Sequence, residues 1–134
     1  MPGAAGSRRI LILDDEVAVA DTLEMIFSGC GYEVRTAHSA EMAIETISEW
    51  QPDLAIVDVM LPRMNGIEFG IVLVSNYPAC RVVLVSGHPG TGELLEMARM
   101  RGHDFEILAK PLHPGVILEV VSNLLPGMAS GAEA

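Results

Sequence analysis

The stretch "RILILDDEV", residues 9–17, sets a short aliphatic run directly against three consecutive acids. "RILIL" is brief, aliphatic and flanked by charge, which reads as a buried strand. Neighbouring carboxylates repel unless a cation lies between them or water screens them. The acids that follow the strand therefore call for a positive partner, or else they start a helix and meet the positive end of its dipole.

Working outward, comparable runs recur as "YEVRTA" (32–37), "LAIVDV" (54–59), "RVVLVSG" (81–87) and "FEILAK" (105–110). Segments of helical period lie between them. Val19, Leu23, Phe27 and Cys30 share one face, with Gly31 as a stop. Ala40, Ile44, Ile47 and Trp50 share another, behind a Ser39 cap and before Pro52. Thr91 can cap a helix over "TGELLEMARMRG", and Pro114 opens the last helix, where proline is tolerated. The segment "IEFGIVLVSNYP" (67–78) reads two ways. Its β-branched residues favour a strand and Gly70 weakens a helix, yet Ile67, Ile71 and Val74 recur at helical spacing. Strand then helix, five times over, implies an α/β domain whose parallel sheet is covered on both faces.

The 134 residues suffice for one domain. It is expected over 9–125, between small-residue-rich tails at 1–8 and 126–134 that read as disordered. Eight basic against eighteen acidic residues give a net charge of −10. That argues against binding to nucleic acid or an anionic membrane and suits a metal cation or a basic protein partner. No apolar run approaches a membrane span and no signal peptide is evident, so a cytoplasmic location is expected. Cys30 and Cys80 are too few for a disulfide framework or zinc site and read as two buried thiols.

In an open parallel sheet, ligands bind outside the carboxyl ends of the strands. Asp14 and Asp15 end the first strand, Asp58 the third, Ser86 and Gly87 the fourth, and Lys110 the fifth. Singly, each has a plain reading: a helix cap, a surface acid, a turn, a solvated strand end. Together, the acids suit Mg²⁺, which takes oxygen ligands from carboxylates, water and phosphate. A carboxylate can attack phosphorus to give an aspartyl phosphate. Lys110 and the metal would flank the charge in transfer, and Ser86 would donate a hydrogen bond.

"LILDDE", "LAIVDVMLPRMNG", "VVLVSG" and "ILAKP" together resemble the receiver domain of bacterial two-component response regulators, over about residues 9–125. The resemblance implies a flavodoxin-like, doubly wound (βα)5 three-layer sandwich with sheet order 2-1-3-4-5. It implies that Asp58 accepts phosphate from a sensor histidine kinase or a histidine phosphotransfer protein. Asp15, Asp58 and the backbone carbonyl of Met60 would ligate Mg²⁺, with Asp14 acting through water. Ser86 and Lys110 would hold the phosphoryl oxygens, Lys110–Pro111 would be cis, and Pro62 and Gly66 would shape the acceptor loop. Met60 and His88 would flank the attacking water and govern phosphate lifetime.

The chain departs from the family at the switch. Three residues before the lysine, where the family has an aromatic that moves with Ser86, stands Ile107. Phe105 precedes it on the same strand face. Either Ile107 is a smaller reporter or the output uses another face. In the last helix, Leu118 and Leu125 are expected on a second, outer apolar stripe, which suggests a homodimer or a partner helix. The expected function is a stand-alone phosphoacceptor that signals to a downstream protein by contact and catalyses at most its own phosphorylation and dephosphorylation. The alternative is a phosphorylation-independent interaction module. An enzyme on this architecture is disfavoured. A haloacid-dehalogenase-type phosphatase needs an acid at Met60, and a flavin site needs glycines where "DDEVAVA" stands.

Overall fold

Five strands alternate with five helices: β1 (Arg9–Leu13), α1 (Val17–Gly29), β2 (Glu33–Ala37), α2 (Ala40–Glu49), β3 (Leu54–Asp58), α3 (Gly66–Asn76), β4 (Arg81–Ser86), α4 (Thr91–Met100), β5 (Glu106–Ala109) and α5 (Pro114–Leu124). The structure, a computed structural model, describes residues 7–87 and 91–125. His88 and residues 1–6 and 126–134 lie outside them, and with them most of the two expected tails. Arg8, assigned to the first tail, instead belongs to the sheet edge: its carbonyl accepts a hydrogen bond from the Glu33 N–H at 2.9 Å.

All strand pairs are parallel, in the order β2-β1-β3-β4-β5. Strand alternation splits the core in two. Ile10 and Ile12 join the layer under α1 and α5, while Leu11 and Leu13 join the layer under α2, α3 and α4. All four are fully buried. Each such side chain contributes roughly 1.5–3 kcal/mol, which is why both faces of the strands read as continuous aliphatic runs.

The segment of double reading is a helix, α3. Topology overrides propensity here, because β3 and β4 are parallel neighbours and only a crossover can join them. Asn65 caps it, its Oδ1 accepting from the Glu68 N–H at 2.8 Å. Gly70 lies inside the helix because its missing Cβ leaves room; a Cβ there would sit 3.4 Å from the Phe105 ring and from Val82 Cγ1.

Three side-chain expectations are corrected. In α2 the buried positions are Ala40, Ala43 and Ile47, and Ile44 faces outward at 50% exposure. Cys30 is exposed and only Cys80 is buried. Cys30 is the residue that ends α1, just past its last turn. Burial, and secondarily the charge of Asp53, pushes the Cys80 thiol up to about 12. At the end of α5, Leu125 is buried with Ile117 and Val121 in one core layer, and Leu118 packs partly against it. Of the expected second stripe, Leu125 thus faces inward and Leu118 is half-buried. The exposed large apolar residue of this helix is Val116, and Leu125 offers no surface to a second copy.

At the far end of the sheet, Trp50 closes α2. Its indole N–H donates to Glu33 at 3.0 Å, and the Arg9 and Arg35 guanidinium groups lie 5.5 and 4.9 Å from its ring. The two guanidinium groups lie over an aromatic that is itself 2% exposed. Among the described residues, no helix is long and apolar enough to cross a membrane.

Two measurements check these assignments. Denaturant unfolding of Ile117→Ala is expected to show a loss of about 2–5 kcal/mol, and of Val116→Ala a change within about 0.5 kcal/mol. A maleimide applied to the native protein is expected to add one label, at Cys30, by intact mass and peptide mapping. Labelling of Cys80 at a similar rate would contradict its burial.

Candidate functional site

The sheet register brings the acids together. Leu13 pairs with Val57, so Asp14 and Asp58 emerge side by side one residue later. Asp58 pairs with Val85, and Ser86 with Ala109, which places Lys110 just beyond the same rim. Asp14 and Asp58 are 1% and 4% exposed. Lys110 Nζ lies 3.2 Å from Asp14 Oδ2, 2.9 Å from Glu16 Oε1 and 3.2 Å from Asp58 Oδ2. One ammonium thus serves three carboxylates, whose oxygens come within 4.8 Å of one another. At an effective dielectric of about 20, two like charges roughly 4 Å apart repel by about 4 kcal/mol, so the cluster depends on a cation.

Backbone donors complete the arrangement. Asp14 Oδ1 accepts from the Glu16 N–H at 2.9 Å and Asp58 Oδ1 from the Met60 N–H at 3.1 Å. The acids do not cap α1: Glu16 holds the N-cap position without a side-chain capping bond. Burial lifts the Asp14 carboxyl above the ordinary carboxylate range. The Glu16 N–H and Lys110 oppose this, and the charge of Asp58 adds to it. Burial disfavours the Lys110 charge, but Glu16, Asp14 and Asp58 outweigh it and hold the ammonium above the usual lysine range.

Asp15 is exposed and stands at the edge of this arrangement. It lines an open cleft of about 340 Å³ together with Glu16, Asp58, Met60, Gly87 and Lys110. Asp14 Oδ2 is buried and meets the Lys110 ammonium as an ion pair at 3.2 Å, with no further hydrogen bond among the described residues. A buried carboxylate oxygen that shares one ammonium with two other acids, in a rim of four acids, is oxygen-ligand chemistry that fits a hard divalent cation with its waters.

The acceptor loop is closed tightly. The Gly66 N–H donates to the Val59 carbonyl at 2.7 Å, and Met64 N–H to the Pro62 carbonyl at 2.7 Å. Arg63 takes a positive φ of 72°, a conformation that costs a non-glycine residue on the order of 1 kcal/mol. A Cβ on Gly66 would overlap the Asp58 carbonyl and press Val57 Cγ1 at 2.9 Å. Lys110–Pro111 is cis, as the resemblance implies.

Ser86 is 7% exposed, and its carbonyl accepts from the Lys110 N–H at 2.9 Å. Ile107 and Phe105 are half-buried and pack on the layer under α2, α3 and α4. Phe105 stacks on His103 at 5.9 Å, just before β5 begins. Residue parity puts Ser86 and Ile107 on one face of the sheet, since Leu84 pairs with Ile107. Met60 is 46% exposed, and His88 lies outside the described residues. The sequence reading missed Glu16. Its only signal was that it is the third acid of "DDE"; nothing local says that it reaches a lysine ninety-four residues away.

Residues 10–122 match the family of the response regulator receiver domain. The chain belongs to that family. It is 27% identical over 118 residues to the chemotaxis protein CheY of Thermotoga maritima, covering 87% of this chain and 97% of that protein. A solved CheY-like receiver domain from Methanospirillum hungatei superposes with a TM-score of 0.82 at 26% identity, covering 94% of this chain and 99% of the other. The response regulator MprA of Mycobacterium ulcerans is 44% identical over 62 residues, which is 46% of this chain and 27% of that protein. The receiver family is a signalling family, and its members generally bind Mg²⁺ at an acidic pocket.

Gly66→Ala is expected to destabilise this receiver domain by roughly 1–3 kcal/mol in denaturant unfolding, through overlap with the acceptor strand. Gly29→Ala, where a Cβ meets nothing within 4 Å, is the matched control and is expected to be neutral or stabilising by up to about 1 kcal/mol.

Proposed function

We propose that this receiver domain accepts a phosphoryl group on Asp58 from a phosphohistidine of a sensor kinase or phosphotransfer protein, and that it signals by protein contact. The observation that carries the reading is the convergence of Asp14, Asp58 and Lys110 at one rim, with Asp58 Oδ1 tied to the Met60 N–H and Oδ2 to Lys110. The tie at Oδ1 holds the carboxylate while one oxygen attacks phosphorus. The O–P bond forms as the P–N bond of the donor breaks, and the leaving imidazole nitrogen takes a proton from water. Lys110 then turns from Asp58 to an oxygen of the bound phosphoryl group, and Ser86 donates to another.

Asp14, Asp15, Asp58 and the Met60 carbonyl are the ligands proposed for Mg²⁺. When bound, Mg²⁺ would neutralise the acids and the developing phosphoryl charge. An apolar groove of about 310 Å³ adjoins the site between α1 and the start of α5, where Val19, Ile26, Pro111 and Leu112 accompany Lys110. A helix of the phosphodonor would fit there, within reach of Asp58. Ser86 would act on the side of the sheet that carries Ile107 and Phe105, which makes that side the expected route of output. A downstream protein is the expected reader, since ten net negative charges disfavour nucleic acid.

Incubation with acetyl phosphate and Mg²⁺ is expected to add one phosphate by intact mass, within minutes. Asp58→Asn is expected to lose that addition, and a chelator to slow it by more than tenfold. Absence of uptake by the unmodified protein would leave the fold as an interaction module only.

A further inference from the structure

Lys110 is the chain's single lysine, and its nearest acid is one to which the reading above gives no part. Glu16 Oε1 lies 2.9 Å from Nζ, closer than Asp14 or Asp58 at 3.2 Å. The Glu16 side chain is 62% exposed and that of Lys110 18%. Glu16 therefore approaches from the solvent side, over an ammonium already seated on two buried acids. The same carboxylate shares the cleft in which phosphorus must arrive. A lysine needed on a phosphoryl oxygen cannot keep all three partners. The Glu16 contact is the shortest of the three and the one open to solvent, so it can break without leaving a buried acid unpaired.

We propose that Glu16 is a positioning residue that latches the Lys110 ammonium against Asp14 and Asp58 before phosphorylation, and that releasing this latch sets how readily Lys110 reaches the incoming phosphoryl group. The inference rests on the phosphoacceptor reading for its consequence, but not for the contact itself. Two effects of opposite sign follow from one charge. Glu16 adds to the negative field that attracts a divalent cation. It also repels the anionic donor and competes for the lysine. Removing its charge should weaken metal binding and, once metal saturates, speed phosphoryl uptake. For an exposed pair, each effect should be about two- to fivefold.

The experiment compares the unmodified protein with Glu16→Gln and Glu16→Ala. With one lysine, the ¹H–¹⁵N spectrum of side-chain ammonium groups contains a single lysine signal. That signal is expected to be sharp in the unmodified protein and to shift and exchange faster with water in both variants. Mg²⁺ titration by calorimetry is expected to show a Kd raised about two- to fivefold. Uptake from acetyl phosphate at saturating Mg²⁺ is expected to be faster by a similar factor. A steric role would instead leave Glu16→Gln unchanged and affect only Glu16→Ala, which would overturn the proposal. An unchanged ammonium signal in Glu16→Gln would overturn it too, even where the unmodified protein takes up phosphate normally. If that protein takes up none, the phosphoacceptor reading fails on its own, and the ammonium signal still decides whether Glu16 holds Lys110.

Discussion

The ion cluster of Lys110 with Asp14, Glu16 and Asp58 is the constraint around which this receiver domain is arranged. Strands β1 and β3 are pressed together by aliphatic side chains on both faces, and that burial drives two aspartates into the same small volume. Apolar packing supplies the force and electrostatics bears the cost. The ammonium from β5 offsets part of it, and because four carboxylates line the rim against one lysine, the neutralisation is incomplete. The acids outnumber the ammonium, and the buried Asp14 oxygen shares its one cation with two other carboxylates.

Rigidity at this rim comes from the backbone. The loop after β3 folds back so closely that Gly66 touches the carbonyl of Asp58, and Asn65 and Glu68 begin α3 immediately afterwards. The candidate acceptor is thereby held between a strand in the middle of the sheet and a capped helix. Lys110 is anchored through its own N–H to the Ser86 carbonyl, which extends the β4–β5 pairing to the lysine. Loops at the ends of a stiff sheet can present reactive groups with little freedom, which is what a transfer reaction with few protein bonds to break requires.

The far side of the domain shows how differently buried and exposed groups are managed. Trp50 lies under two arginines and against Glu33, closing the sheet opposite to the acid rim. The Ile107 position is smaller than the family's aromatic, and Phe105 fills space against Gly70 instead. An aromatic has therefore not vanished from this region; it sits two residues earlier and nearer α3. The physical pairing is reciprocal, since the absent Cβ at Gly70 is what lets the ring approach.

Much of this was legible from residues alone. The five aliphatic runs, the parallel order implied by the receiver motifs, and the acids and lysine at the strand ends are local patterns whose burial and charge follow from side-chain chemistry. Other features depend on partners distant in the chain. Segment 67–78 could be a strand by propensity, and it became a helix because two parallel neighbours need a crossover. Leu125 and Ala43 turned inward, and Ile44 and Cys30 outward, because the rotation of a helix on a sheet is decided by the opposing surface. Glu16 met Lys110 only once β1 and β5 stood at one edge. Sequence pattern determines which groups are apolar or charged and how often they recur; only folding decides which charges become neighbours, because that distance is set by packing across the sheet and not by separation along the chain.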